Sequence, residues 1–278
     1  MRARWIVSGF TVILLPVLLA AQDKQDPRAQ QMVRVAMQTE LDADRADQSR
    51  WQFRDLDRKP DGEALYQVIQ TDHGSVRKKL QANGRRLNAV ELNAEDQRIS
   101  EFVHDPSQQA KQRKDGEEDD KRTENLMRML PDAFLWKMES DNGEEVTLAF
   151  TPDPNFSPPT MESKVFSAMA GEIVVNKSQN RIATIKGKLI RDVKFGWGLL
   201  GKMDEGGTFN VERREIAPGI WQIVESHVHI EGRALFFKSI GEQEDEVKSQ
   251  FHRTPPATTL QQAAIMLKAE PMSFSASR

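Results

Sequence analysis

The chain has 278 residues, of which 38% are hydrophobic and 29% are charged, and it contains no cysteine. These proportions are typical of a globular protein, and the absence of cysteine excludes disulfide bonds and a lipid anchor attached at a cysteine. The formal net charge of −3, from 39 basic and 42 acidic residues, argues against a nucleic-acid partner.

The N-terminal residues have the pattern of a secretory signal. A short basic start with Arg2 and Arg4 precedes an apolar run at 5–19, and the small pair Ala20-Ala21 follows. This run is shorter than the roughly 20 residues that a membrane span needs. We expect residues 1–21 to be cleaved and the mature protein to be soluble in the periplasm or outside the cell, with at most transient membrane contact. Because a leucine stands where signal peptidases prefer a smaller residue, an uncleaved anchor is the alternative.

The mature chain then alternates between helical and strand patterns. Near-helical apolar spacing predicts a helix over 30–48, and alternation predicts strands at 51–53, 65–69 and 75–82, joined by turns at 72–74 and 83–84. Asn93 resembles the N-cap of a short helix that Pro106 ends.

The segment 106–124 is almost entirely charged and predicts a solvated linker or an exposed helix surface.

The second half is predicted to be richer in strands. Strands at 134–138 and 146–150 precede a short helix at 161–170, and nearly continuous antiparallel strands follow through 173–251. A terminal helix is expected at 260–267, and residues 271–278 are expected to be a disordered tail. We therefore predict one α+β domain over 22–270, mainly antiparallel, with a strongly curved sheet or unclosed β-barrel and a few covering helices.

The apparent catalytic motifs lack their structural context. The spacing G-x-G-x-x-G at 196–201 binds a pyrophosphate only between a strand and a helix, and strand-forming residues follow here instead. Ser75 and Lys78 have the spacing of a serine nucleophile and its base, but a strand points them to opposite faces. We predict no catalytic residue and no cofactor.

A divalent-metal site is the alternative that the residues leave open. Glu225, His227 and His229 alternate along a predicted strand and so share one face, where they could chelate zinc. The other interpretation of this pattern is an ordinary polar strand face.

The aromatic residues of the second half are the remaining candidates for a site. In a closed sandwich they would form the core, whereas in an open, curved sheet they would line a cavity for an apolar chain. As ligand-binding candidates we take Trp136, Phe150, Phe166, Phe195, Trp197, Phe209, Trp221 and Phe236.

A family resemblance bears on this choice. The runs MAGEIVV at 169–175, RIATIKGKL at 181–189, VKFGWGLLG at 193–201, GTFNV at 207–211, GIW at 219–221 and GRALFFK at 232–238 resemble exported bacterial proteins with no assigned activity. The layout is also similar to that of periplasmic outer-membrane lipoprotein carriers of the LolA/LolB type. That likeness implies an unclosed β-barrel with a helical lid over an apolar cavity, and a lipid or lipoprotein acyl chain as ligand. The sequence thus predicts a periplasmic carrier, with a metal-dependent enzyme or a structural envelope protein as alternatives.

Overall fold

The computed structural model describes residues 24–195, 201–234 and 242–269. The predicted signal peptide and C-terminal tail, together with Trp197 and Phe236, lie outside the described residues. The helices are α1 (Pro27–Ala46), α2 (Ala89–His104), α3 (Pro106–Ala133) and α4 (Leu260–Ala269), with a 3-10 helix at Glu162–Ala168. The strands are β1 (Trp51–Lys59), β2 (Gly62–Thr71), β3 (Gly74–Ala82), β4 (Arg85–Arg86), β5 (Phe134–Asp141), β6 (Glu145–Pro152), β7 (Met169–Asn176), β8 (Arg181–Leu189), β9 (Val193–Phe195), β10 (Gly201–Met203), β11 (Thr208–Ala217), β12 (Ile220–Ile230), β13 (Gly232–Ala234) and β14 (Glu242–Arg253).

Eleven of these strands form one antiparallel sheet in the order β4-β3-β2-β1-β14-β12-β11-β8-β7-β6-β5, and the sheet does not close on itself. The remaining strands form a small sheet in the order β13-β10-β9. The predicted fold class, α+β with a curved and unclosed antiparallel sheet, is confirmed.

The two faces of the sheet carry different helices. Helix α1 begins after Asp26, whose carboxylate accepts hydrogen bonds from two backbone N–H groups of the first turn, and it buries Val33 and Met37 against β5 to β8. We call the face covered by α1 the inner face. Helices α2 and α4 pack on the opposite, outer face against Ile69 and Val76 of β2 and β3.

The sheet curls toward its inner face. Trp51 and Phe53 of β1 belong to a cluster into which Ile216 and Ile220, beside the β11–β12 turn, also pack. At Gly171 a Cβ atom would lie only 2.6 Å from the Cα of the glycine opposite it in β8, and closer still to a backbone carbonyl oxygen. The absence of side chains at this crossing lets the two strands approach closely where the sheet bends.

The charged segment 106–124 is helical and forms the first two thirds of α3. Pro106 does not only follow the end of α2; it also occupies the first turn of α3, where a proline costs no hydrogen bond. The predicted N-cap at Asn93 is wrong, because α2 begins one and a half turns earlier. Asn88 caps it and forms a reciprocal capping box with Glu91.

Helix α3 runs from β3 near one end of the open sheet to β5 at the other. The side chain of Gln112 accepts from the Ser75 backbone N–H (3.0 Å) and donates to the Ser75 carbonyl oxygen (3.2 Å). At the other end, the Gln25 side-chain oxygen accepts a hydrogen bond from the Trp136 backbone N–H of β5, and the Asp26 backbone N–H donates to the Trp136 carbonyl oxygen. These contacts cover part of each edge and hinder pairing with another strand there. Among the described residues, no helix is long and apolar enough to cross a membrane.

Candidate functional site

Three of the predicted ligand-binding aromatics come together beneath α1. The ring centroids of Trp136 and Phe150 are 5.3 Å apart, and Phe134 bridges them to Phe166 at 5.5 Å. Trp136 is fully buried, and its indole N–H donates to the Pro131 carbonyl oxygen at the end of α3. These rings pack on one another and on α1, so they form a filled core in this half of the inner face.

The other predicted aromatics that the structure describes are Phe195, Phe209 and Trp221, and only Phe209 packs against that core. Phe195 is buried in a separate cluster with Val193 and Leu189. Phe209 is half-buried at the border of the α1 core, and Trp221 is half-buried with its indole N–H donating to Gln179. The predicted aromatic set is therefore not one continuous lining.

The strand register shows how polarity changes across the inner face. Residues directly opposite each other in an antiparallel sheet point to the same side. One such row starts in the α1 core and reaches the acidic strands; it consists of Leu148, Ile173, Ile185, Val211, Ser226, Glu246 and Asp57. The next row changes in the same direction; it consists of Phe150, Gly171, Gly187, Phe209, Val228 and Glu244. Along these two rows the inner face is thus apolar at β6 to β8 and acidic at β14 and β1.

Four carboxylates make up the acidic end, and we call Asp55, Asp57, Glu244 and Glu246 the acidic quartet. Two lysines of the same strands flank it: Lys59 Nζ lies 2.8 Å from Glu244 Oε1, and Lys248 Nζ lies 2.9 Å from Glu246 Oε2. Lys59 Nζ also lies 3.4 Å from Asp57 Oδ2.

The quartet is partly desolvated. Asp55 is only 7% exposed, and within the described part of the chain the Oδ1 atoms of Asp55 and Asp57 are buried without a hydrogen-bond partner. Burial and the charge of Glu246 raise the pKa of Asp55 to about 6. Burial and a hydrogen bond to Glu244 raise the pKa of Asp57. Because both pKa values are raised, Asp55 and Asp57 hold their protons more tightly than isolated carboxylates do.

A different buried carboxylate fastens α1 to the sheet. Glu40 is 3% exposed and pairs with Arg181 of β8 at 2.9 Å and with Arg213 of β11. Its second oxygen accepts the backbone N–H of Ile182 at 2.7 Å. Burial alone would raise the pKa of Glu40, but the hydrogen bonds from both arginines outweigh it and lower the pKa. This end of α1 is therefore held firmly.

The contact between helices and inner face is rich in methionine. Six of the eleven methionines lie in or against the α1 core: Met32, Met37, Met127, Met129, Met138 and Met169. Methionine side chains are unbranched and adapt to irregular apolar shapes. A cavity of about 370 Å³ lies beside this layer, between α3 and the 3-10 helix; Leu126 and Met129 form its apolar part, and polar or charged side chains line the rest. The layer can thus be reached from the surface.

The predicted His-x-His residues lie on the outer face. His227 Nδ1 and His229 Nε2 both approach the same oxygen of Asp245, at 2.7 and 3.0 Å, while Glu225 lies 3.6 Å from His227 Nε2. The hydrogen bond with Asp245 raises the pKa of His227. In the part of the chain that the structure describes, no group of three or more His, Cys, Asp or Glu side chains is arranged to hold a metal ion. This arrangement favours a pH-sensitive polar cluster on an outer strand face.

Sequence reasoning missed the acidic quartet and Asp245. The pairs Asp55/Asp57 and Glu244/Glu246 each have the two-residue spacing of one strand face, which was the available signal. Their proximity could not be read from it, because β1 and β14 lie at opposite ends of the chain.

Comparisons with known proteins add no relative, since no family model, curated protein or solved structure matches the chain.

Proposed function

We propose that this protein is a periplasmic binding or carrier protein for an elongated apolar chain, such as the acyl chain of a lipid or lipoprotein. The observation that carries the proposal is the methionine-rich layer between α1, α3 and the inner face of the unclosed sheet. Such a layer can rearrange around an apolar guest at little cost, because methionine has many rotamers of similar energy. The unclosed sheet leaves the open half of the inner face available to the rest of the guest.

The guest is expected to enter beside α3 and not beneath the end of α1. Glu40 ties α1 to β8 and β11 through buried ion pairs, whereas the first part of α3 is exposed and highly charged. The cavity next to Met129 lies where the α3 side of the layer opens. A chain inserted there would extend the methionine layer without breaking the aromatic core.

Chain length should decide affinity. Each buried methylene contributes about 0.8 kcal/mol, and association costs on the order of 4–15 kcal/mol before any net binding is seen. Six carbons contribute about 5 kcal/mol, near the lower end of this cost, whereas twelve to sixteen carbons contribute about 10–13 kcal/mol. We expect neutral monoacylglycerols with twelve or sixteen carbons to bind, and the six-carbon analogue not to bind.

Two experiments test this proposal. Native mass spectrometry of protein purified from the envelope without detergent should detect a bound lipid, and fluorescence displacement should rank the monoacylglycerols by chain length. Met129→Trp should weaken binding by filling the cavity. Thr123→Trp, which adds the same indole to an exposed position of α3, should not. Absence of any bound lipid, together with no binding of the long-chain probes, would refute the proposal.

A further inference from the structure

The cavity beside Met129 changes from charged to apolar along one face of α3. In chain order, the helix lines it with Glu118, Lys121, Arg122, Asn125, Leu126 and Met129. These positions are related by steps of three or four residues, so they lie on one face of the helix. The second wall, at the start of the 3-10 helix, contributes Thr160 and Glu162. The cavity is thus amphipathic, and its apolar end adjoins the methionine layer.

Two of the charged side chains in this cavity have opposite signs and do not pair. Lys121 belongs to α3, and Glu162 belongs to the first turn of the 3-10 helix. Neither side chain has a hydrogen bond or an ion pair to another residue that the structure describes. The cavity therefore offers an ammonium on one wall and a carboxylate on the other.

The remaining charges of the cavity already have partners within α3. Arg122 Nη1 lies 2.9 Å from Asp119 Oδ1. Glu118 Oε1 lies 3.7 Å from Lys114 Nζ. Such pairs, one turn apart, are the usual arrangement of charges on an exposed helix.

Lys121 departs from that arrangement. Glu117 and Glu124 stand four residues before it and three residues after it, positions from which a helix can form ion pairs. Glu124 pairs instead with Arg45 and Arg128, and among the described residues Lys121 pairs with none. Its ammonium is left available on the cavity wall.

A zwitterionic head group would complete both walls. A phosphate accepts from the three N–H donors of a lysine, and a primary ammonium donates to a carboxylate. The volume of about 370 Å³ falls within the range of roughly 300–1,000 Å³ that ligand pockets have. The apolar chain of the same ligand would leave the head group past Leu126 and Met129, which pack against the α1 core.

We propose that this cavity binds the head group of a zwitterionic amphiphile, with the phosphate of the ligand at Lys121 and its ammonium at Glu162. This inference rests on the proposed function, because it names the class of ligand whose apolar chain occupies the methionine layer. It separates zwitterionic amphiphiles from anionic ones, whose head groups lack a partner for Glu162.

Three probes with the same twelve-carbon acyl chain test the inference. Lauroyl lysophosphatidylethanolamine carries a phosphate and an ammonium, lauroyl lysophosphatidylglycerol carries the phosphate alone, and monolauroylglycerol carries neither. Calorimetry at neutral pH, low salt and probe concentrations below micelle formation should show the zwitterion binding about fivefold more tightly than the other two, since an exposed ion pair contributes up to about that factor. The preference should shrink as salt is added.

Variants assign the two charges of the ligand separately. Glu162→Gln should weaken binding of the zwitterion about fivefold and strengthen binding of lysophosphatidylglycerol, because it removes an attraction for one and a repulsion for the other. Lys121→Gln should weaken binding of both phosphate-bearing probes about fivefold. Both variants should leave the affinity for monolauroylglycerol unchanged.

Matched controls remove the same charges outside the cavity. Glu139→Gln on β5 and Lys188→Gln on β8 change exposed residues that do not line it, and they should leave all three affinities unchanged. Circular dichroism before each titration verifies that the variants are folded.

The outcomes separate the inference from the proposed function. Equal affinities for the three lauroyl probes, or a preference for the zwitterion that Lys121→Gln and Glu162→Gln leave intact, would overturn the head-group site while the carrier proposal stands. Glycerophosphoethanolamine has the same head group without the chain. If it binds and no lauroyl probe does, the head-group site is supported and the carrier proposal is contradicted. If none of the four probes binds, both are wrong.

Discussion

Replacing Glu40 by alanine is expected to be the most damaging single change of a charged residue in this protein. Glu40 is 3% and Arg181 is 6% exposed, so the variant leaves a buried guanidinium without its carboxylate. Breaking a buried ion pair from one side costs about 3–5 kcal/mol. Domains have total stabilities of about 5–15 kcal/mol, so Glu40→Ala should remove a large part of the stability.

Two further variants separate the charge from the packing. Glu40→Gln keeps the shape of the side chain but not its charge, and it should cost nearly as much as alanine. Combining Glu40→Leu with Arg181→Met and Arg213→Met removes the whole ion cluster and should recover most of the loss, because an apolar replacement avoids the desolvation penalty.

The pH dependence of the Glu40 contribution has a definite sign. The pKa of Glu40 is lowered in the folded protein, so its stabilising effect is complete above its unfolded pKa of about 4.3. It is lost as the pH falls through the folded value. The difference between wild type and Glu40→Gln should therefore shrink in acid.

Urea unfolding followed by far-ultraviolet circular dichroism at pH 7 measures these differences. Asp115→Asn is the control, since it removes a carboxylate from an ion pair on the exposed surface of α3, and no measurable shift of its midpoint is expected. If Glu40→Ala and Glu40→Gln shift the midpoint no further than Asp115→Asn, the buried cluster does not hold α1 on the sheet.

Four other predictions concern the sheet, the exposed part of α3, the start of α2 and the acidic quartet. Gly171→Ala should cost about 3 kcal/mol, because its Cβ would lie within 2.6 Å of the Gly187 Cα. Gly116→Ala, in the exposed part of α3 with no atom near its Cβ, should instead stabilise by about 0.5–1 kcal/mol. Asn88→Ala should cost about 1 kcal/mol through loss of the capping box; equal urea midpoints would contradict it. The pKa of Asp55 is raised to about 6 in the folded protein. The free energy of unfolding should therefore fall as the pH rises from about 4 to about 6, by at most about 3 kcal/mol. Asp55→Asn should remove most of this pH dependence.

Local chemistry made most elements predictable. Alternation located β5 and β6 through Trp136 and Phe150, because one face of each strand is buried against a helix and the other is not. The helix start at Asn93 was misplaced because an acidic residue also follows Asn93 closely. Asn88 is the cap since Glu91 stands three residues later and returns the hydrogen bond. Only the structure shows which of the two asparagines forms both hydrogen bonds of a capping box.

The charged segment shows a second limit of pattern reasoning. It has no apolar period, so the sequence favours neither helix nor linker. In the structure, ion pairs one turn apart, such as Lys111 with Asp115 at 2.6 Å, accompany a helix that Asp105 caps. Anchoring at the β3 edge by Gln112 and at its end by the α1 core adds tertiary contacts that no local pattern contains.

The candidate site was less predictable than the fold. Aromatic content pointed to Trp136 and Phe150, which are core residues, whereas the acidic end of the inner face arises from the pairing of β1 with β14. That pairing joins residues nearly 190 positions apart. Spacing within one strand reveals that Asp55 and Asp57 share a face, but only the register reveals that Glu246 lies opposite.

Two buried carboxylates show how their neighbours decide the direction of a pKa shift. Glu40 is desolvated, but two guanidiniums and a backbone N–H satisfy it, and its pKa is lowered because the folded protein stabilises its charge. Asp55 is similarly buried, but its neighbours include the carboxylate of Glu246 and its pKa is raised. Burial alone would raise both pKa values, so the identity of the groups on the neighbouring strands decides which carboxylate stays charged in acid. Those groups are set by strand pairing, which is why neither pKa direction could be predicted from the spacing within one strand.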